Sequence, residues 1–411
     1  MAPTLACAQA IGAGISIDIE PRLDRDDVAG ARIEPAYKAR PIVVGPVFAQ
    51  PSVSVVGGYD GNVFNRPDAR AAALAMVSPS LVLRTNLPRH EVRFSAAGTL
   101  RRLSRYRTEN SEEIVLDVDG RFDLSRGQAI RASAGFSHLI EPRSSAGSVP
   151  NATEPVSYDR LVGDVSARAA IGRIGLTPGL RYERVEYDVV ALEGGGRADQ
   201  SFRNTCALRG DVRLDYDLSG LASVFASGSY EDIRSTSATA SLRRDSRDYT
   251  VVAGLRGRLS PVVSGEIGVG YRARDYRLPI YRDFQGVTFR GDLQWYVTPL
   301  MTLRAQASRT FRNSGNRQVG GILTDAFTLS AYYDPLRNLR LSASARLERG
   351  DFGETDTRTL RKSMRLQAQY RLNRSLSVGG YVDFVRQDVR GTPLVSQFTS
   401  FSAGFGMTFR A

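Results

Sequence analysis

The sequence contains few of the residues from which most catalytic and metal sites are built. Its two cysteines, Cys7 and Cys206, stand far apart in the chain, and its two histidines are His90 and His138. Two isolated cysteines form neither a disulfide framework nor a zinc-ligand cluster. Neither histidine stands at a motif spacing from a nucleophile or from a second metal ligand. We therefore expect no enzyme, no catalytic residue, no metal site and no cofactor.

Long apolar runs are also missing. No run of about 18 apolar residues occurs, which excludes a membrane-spanning helix. A membrane-spanning β-barrel remains open, because its strands need only alternate residues to be apolar. Lysine is scarce as well, since Lys38 and Lys362 are the only lysines among 55 basic residues in a chain of net charge +12. The remaining basic residues are arginines, and no stacking platform or helix motif accompanies them, so we expect no nucleic-acid partner.

The stretch from residue 293 to residue 312, LQWYVTPLMTLRAQASRTFR, shows the pattern that dominates the chain. Apolar residues such as Leu293 and Trp295 share one parity, and polar residues occupy the other. The alternation resumes after Thr298-Pro299, with Arg304 on the polar parity. Successive side chains of a strand point to opposite faces, so this stretch predicts two strands joined by a tight turn.

The same pattern continues from about residue 50 to the end of the chain. Short turns recur roughly every 40 residues, and longer polar stretches lie between them, which is typical of a bacterial outer-membrane barrel. The sequence therefore predicts an all-β, transmembrane, antiparallel up-and-down β-barrel. We expect about 18 strands, with 16 as the alternative, short periplasmic turns and longer extracellular loops. An even number of strands places both termini on the periplasmic side.

Three regions follow from this pattern. Residues 1–10 end in small residues and are predicted to be a signal-peptide remnant. Residues 11–45 show no sustained periodicity and are predicted to form a flexible periplasmic arm or a plug of the lumen. Residues 46–411 form the predicted barrel, in contact with outer-membrane lipid. Its last strand, with aromatic residues on one parity from Phe401 to Phe409, resembles the signal by which assembly machinery recognises such barrels.

The polar parity of the strands carries many charges. About 18 strands enclose a water-filled channel rather than a packed core, so we expect these charges to line a pore. An excess of arginine predicts a preference for anionic solutes. The candidate pore-lining residues are Arg131, Arg181, Arg209, Arg213, Arg256, Arg258, Arg272, Arg290, Arg304, Arg340, Arg346, Arg365, Asp117, Asp119, Asp211, Asp292, Glu266 and Glu348.

The first predicted hairpin resembles the bacterial outer-membrane family of putative β-barrel porins. The resemblance covers most of residues 42–411, and its distinctive letters are Phe48, Pro51, Ser52, Tyr59, Asp60, Asn62, Val63, Phe64, Pro79, Ser80, Arg84, Pro88, Arg89 and His90. Members of this family often accompany capsule or exopolysaccharide export systems. The resemblance implies an outer-membrane barrel without an established catalytic residue.

Three functions remain open. The first expectation is passage of a surface polysaccharide through the barrel, with polysaccharide export components as partners. The second is a general diffusion porin for small hydrophilic solutes, preferably anionic ones. The third is a structural or adhesive barrel whose lumen is plugged by residues 11–45. All three place the protein in the bacterial outer membrane.

Overall fold

Alternation of apolar and polar residues places most of the chain in long strands. The structure, a computed structural model, describes residues 35–145, 147–149, 151–237 and 243–411. Within these ranges, 18 strands of 13 to 16 residues form one antiparallel barrel. The prediction of 18 strands is thereby confirmed.

The strands follow one another around the barrel in chain order. The first nine are β1 (Val47–Asp60), β2 (Ala72–Thr85), β3 (His90–Leu103), β4 (Ser111–Ser125), β5 (Gln128–Ile140), β6 (Ser157–Ile171), β7 (Ile174–Tyr187), β8 (Thr205–Asp217) and β9 (Ala222–Ser235). The second nine are β10 (Ser246–Ser260), β11 (Val263–Tyr276), β12 (Phe284–Thr298), β13 (Met301–Asn313), β14 (Gly321–Leu336), β15 (Leu339–Phe352), β16 (Arg358–Arg371), β17 (Leu376–Arg390) and β18 (Phe398–Arg410).

The barrel closes between its first and last strands. β1 pairs with β18 in antiparallel register, and the Ser54 hydroxyl lies 2.8 Å from the Thr408 hydroxyl across this seam. Glycines allow the two backbones to approach. A Cβ on Gly406 would overlap the carbonyl oxygen of Val55. Closure pairs both edge strands, so the barrel has no open sheet edge.

The two ends of the barrel differ. Eight connections of two to four residues lie at one end, which we call the short-turn end, whereas the connections at the other end, the long-loop end, run to 17 residues between Tyr187 and Thr205. The hairpin predicted around Pro299 is formed by β12 and β13. This asymmetry confirms the predicted short turns and longer loops, and it places both ends of the barrel-forming chain at the short-turn end.

The outer wall of the barrel is apolar. Val251 and Val269 are each more than 60% exposed, and similar aliphatic side chains cover the middle of the wall. Aromatic side chains flank this band, with Trp295 and Tyr370 near the short-turn end and Tyr271 near the long-loop end. An apolar band between two aromatic girdles is the outer surface of a transmembrane barrel.

The inner wall is polar and does not enclose a single apolar core. Buried hydrophobic residues form small clusters near the long-loop end, one of them around Val56, Met76 and Tyr381 and another around Val319 and Phe352. Strands with one apolar and one polar face, wrapped into a barrel of this size, leave charged side chains pointing into the lumen.

The described chain begins beside the short turns. A 3₁₀ helix spans Pro35–Tyr37, and a short strand, Ile42–Val44, pairs with the start of β1. The Arg374 side chain donates a hydrogen bond to the Ala36 carbonyl oxygen at 3.2 Å, which holds this segment at the short-turn end. The predicted signal remnant, residues 1–10, and most of the predicted arm lie outside the described residues. Among those described, no helix is long and apolar enough to cross a membrane.

Candidate functional site

The predicted pore-lining residues lie on the inward parity of their strands. β8 shows the alternation clearly. Leu208, Val212 and Leu214 face outward and are about half exposed, whereas Arg209 and Arg213 alternate with them on the opposite face. The same parity holds for the rest of the set, which is Arg131, Arg181, Arg256, Arg258, Arg272, Arg290, Arg304, Arg340, Arg346, Arg365, Asp117, Asp119, Asp211, Asp292, Glu266 and Glu348.

Many of these charges are paired with a neighbour along the wall. Arg365 on β16 donates to both carboxylate oxygens of Asp383 on β17, at 2.6 and 2.7 Å. Arg304 on β13 holds Asp292 on β12 in the same two-pronged way, with Nε at 2.8 Å from Oδ1. Bidentate pairs of this kind fix both side chains and cancel much of their field.

One group of charges includes an ion pair between strands that are not neighbours in the barrel. Arg213 on β8 contacts Asp215 on its own strand at 2.9 Å and Glu266 on β11 at 3.0 Å. Arg290 on β12 contacts the same Glu266 at 3.1 Å. The ring of Phe225, on β9, lies 4.0 Å from the Arg213 guanidinium carbon and 5.1 Å from that of Arg290. An inward aromatic ring is stabilised here by two cations.

A cavity of about 510 Å³ lies inside the lumen at the short-turn end. Six arginines and two aspartates are among its lining residues. They are Arg121, Arg126, Arg131, Arg168, Arg213, Arg256, Asp123 and Asp215. Arg121, Arg126, Arg168 and Asp123 were not among the predicted pore-lining residues, although Arg121 and Arg168 share the polar parity of their strands. We call this site the basic cavity.

Two carboxylates near the middle of the lumen wall lie beside glycines of the neighbouring strand. A Cβ on Gly135 would stand 2.5 Å from an oxygen of Asp117, and one on Gly179 would stand 2.9 Å from an oxygen of Asp211. Each glycine is the cross-strand partner of its aspartate. The missing side chain on each glycine leaves space for the carboxylate against the neighbouring strand.

A buried ion pair joins two of the long loops. Arg203 donates to both oxygens of Glu141, at 2.7 and 2.8 Å, and each residue is less than 10% exposed. The Arg203 guanidinium carbon also lies 3.7 Å from the centre of the Tyr187 ring. Burial lowers the pKa of Arg203, but the hydrogen bonds to Glu141 and the contact with Tyr187 raise it above its ordinary value. The guanidinium therefore remains charged.

A second buried arginine links further loops. Arg244 donates to the carbonyl oxygens of Ser314 and Asn316, and its guanidinium lies over the rings of Phe202 and Tyr281, at 5.3 and 5.5 Å. Arginine fits such a site because its planar group combines several donors with a stacking face. These contacts tie together loops that follow β7, β9, β11 and β13.

The loops meet across the mouth of the barrel. A Cβ on Gly315 would overlap the Cα of Gly147, so the two backbones are in direct contact. Gly147 follows β5 and Gly315 follows β13, eight strands further around a barrel of 18. The contact therefore joins nearly opposite sides. We refer to the joined loops as the loop cap, a feature that the sequence did not predict.

Each of the two histidines contacts a residue on the neighbouring strand. The Nδ1 atom of His138 lies 2.7 Å from a carboxylate oxygen of Asp159 on the next strand, and the His90 ring lies 5.8 Å from that of Phe122. In the part of the chain that the structure describes, no group of three His, Cys, Asp or Glu residues is placed to hold a metal ion.

Comparisons with known proteins agree with a membrane barrel. The family described as putative beta-barrel porin 2 matches residues 34–408. The solved structure of the copper transporter OprC has a TM-score of 0.52, with 10% identity over 90% of this chain and 82% of that chain. The siderophore receptor PiuA from Acinetobacter baumannii has a TM-score of 0.47, with 10% identity and the same coverage. At 10% identity the likeness to OprC shows the fold alone. No curated protein matches the chain.

Proposed function

We propose that this chain, which belongs to the putative beta-barrel porin 2 family, carries small anionic hydrophilic solutes across the bacterial outer membrane. The family places it among outer-membrane β-barrels of the porin type. Its long loops then face the outside of the cell and its short turns face the periplasm.

The observation that supports this proposal is the distribution of charge on the lumen wall. Pairs such as Arg365–Asp383 cancel locally. Within the described ranges, no carboxylate lies within 4 Å of the guanidinium groups of Arg168, Arg256 or Arg361, all of which face the lumen. Glu348 is the cross-strand partner of Arg361, but cations without a carboxylate within 4 Å keep more of their field than the bidentate pairs do. In a water-filled passage with low-dielectric walls, such cations attract anions and repel cations.

Polysaccharide export, the first expectation from the sequence, stays a prediction. A polymer needs a continuous opening at the outer mouth, whereas Gly147 and Gly315 join opposite sides of that mouth. Small solutes can pass beside such a contact, but a chain of sugars requires the loops to separate. The geometry therefore supports diffusion of small solutes better than export of a polymer.

The plugged, structural barrel also stays a prediction. The segment proposed as the plug lies mostly outside the described residues. Its described end is held beside the short turns through Arg374 and Ala36.

Solute uptake into proteoliposomes that contain the purified full-length chain tests the proposal. Gluconate, glucose and glucosamine have similar sizes and carry negative, zero and positive charge. We expect uptake in that order, with gluconate fastest. Equal rates, or faster uptake of glucosamine, would overturn the proposal. Loss of surface polysaccharide in a clean deletion strain, restored by complementation, would instead support export of a polymer.

A further inference from the structure

The basic cavity has more positive charge than its own carboxylates can balance. Asp123 accepts a hydrogen bond from Arg121 at 2.8 Å, and Asp215 accepts hydrogen bonds from Arg213 at 2.9 and 3.0 Å. Both aspartates are therefore already engaged with lining arginines. Across the described residues, neither Arg168 nor Arg256 has a carboxylate within 4 Å.

Like charges that share one cavity repel each other, and an anion between them removes this repulsion. Guanidinium groups present planar forks of N–H donors that match the oxygens of phosphate and carboxylate groups. Arg168 on β6 and Arg256 on β10 approach the cavity from separate strands. A ligand with several anionic oxygens can accept hydrogen bonds from both, whereas a monovalent halide cannot match two forks.

The size of the cavity limits the ligand further. A water molecule occupies about 30 Å³ in the liquid, so a cavity of about 510 Å³ has room for much more than a bare phosphate ion. Ala129, Ala170 and Thr177 contribute small uncharged surface beside the arginines. Such a lining suits the body of a small polar molecule that carries the anionic group.

We infer that the basic cavity is a binding site for a small organic solute with a dianionic oxyanion, such as a sugar phosphate. Arg168 and Arg256 bind the oxyanion, and the uncharged part of the lining receives the rest of the solute. This inference rests on the proposed function, because it names the class of anion that the lumen carries. The site lies at the periplasmic end of the passage, where a solute from outside would bind after passing the loop cap.

Equilibrium dialysis of the detergent-purified full-length barrel with radiolabelled glucose 6-phosphate tests the site without requiring an open channel. We expect saturable binding that excess inorganic phosphate displaces and that the same excess of glucose does not. The R168Q/R256Q variant should bind at least tenfold more weakly. R361Q is the matched control, because Arg361 also faces the lumen without a carboxylate within 4 Å among the described residues but does not line the cavity.

The outcomes separate the site from the function. No saturable binding to the wild-type chain, an equal loss in R361Q, or displacement by glucose would overturn the site. Anion-selective uptake would then still stand on its own measurement. Binding that fails only in R168Q/R256Q supports the site even if uptake shows no preference for anions, in which case the proposed function fails and the binding site remains.

Discussion

The backbone of Gly315 lies directly against that of Gly147, although the two residues stand on loops from nearly opposite sides of the barrel. Neither position leaves room for a side chain. A Cβ on Gly147 would overlap the Arg203–Glu141 ion pair, and a Cβ on Gly315 would overlap Gly147 itself. The loop cap therefore depends on two glycines that meet across the mouth of the barrel.

Substitution of Gly315 should loosen the loop cap. In G315A the new methyl group cannot fit against the Gly147 backbone, so the loops must separate. We expect a higher single-channel conductance in planar bilayers. G353A is the control, because a Cβ on Gly353 would meet nothing closer than 3.9 Å. If both variants conduct like the wild-type chain, the contact does not restrict the passage.

The Arg203–Glu141 pair should hold the loops that follow β5 and β7 together. In R203Q the Glu141 carboxylate stays buried without its partner, which costs about 3–5 kcal/mol. We expect faster proteolysis of these loops in intact cells. The double variant R203M/E141L, which replaces both charges with apolar side chains, should be cleaved more slowly than R203Q. Equal cleavage of the two variants would show that the unpaired charge is not the cause.

The Arg304–Asp292 pair allows a test of charge cancellation on the lumen wall. R304Q leaves the Asp292 carboxylate unbalanced. Two unit charges about 4 Å apart in water interact with an energy of about 1 kcal/mol. An unbalanced carboxylate next to a passing ion should therefore lower the anion-to-cation permeability ratio by up to about fivefold. R304Q/D292N should restore the ratio. A double variant that remains as low as R304Q would contradict the pairing.

The seam between β1 and β18 should tolerate no side chain at Gly406. In G406V the new side chain would collide with the backbone of Val55 and keep the edge strands apart. Overpacking of this kind costs about 1–3 kcal/mol or more. We expect loss of the compact, heat-modifiable band on cold SDS gels. G228V is the control, because a Cβ on Gly228 meets nothing within 4 Å, and a compact G406V band would show that the seam adapts.

Strand number was predictable because alternation is a local signal. Each hairpin has its own apolar parity and its own turn residues, as β12 and β13 have around Pro299. A wrong strand boundary in one hairpin therefore does not shift the strands predicted for the next. Arg121 and Arg168 were missed although their parity marks them as lumen residues. Parity shows that a side chain faces inward, but it does not show which inward residues from different strands share one cavity.

The loop cap could not be predicted from the sequence. Loops have no periodicity, and the Arg203–Glu141 pair joins residues 62 positions apart. The outward parity is not apolar throughout, because charged residues occupy it near strand ends. Arg309 and Asp325 form a charged pair on the outward parity near the long-loop end, with Nη2 2.8 Å from Oδ2. Alternation alone assigns such positions to the lipid-facing wall.

The decisive measurement is the reversal potential of the purified barrel under a potassium chloride gradient. We expect an anion-selective potential that moves towards zero in R256Q/R290Q/R304Q, which neutralises three inward-facing arginines. R309Q is the control, because Arg309 lies on the outward parity. A cation-selective or unselective wild-type channel would contradict the claim that the arginine-lined lumen conducts anions.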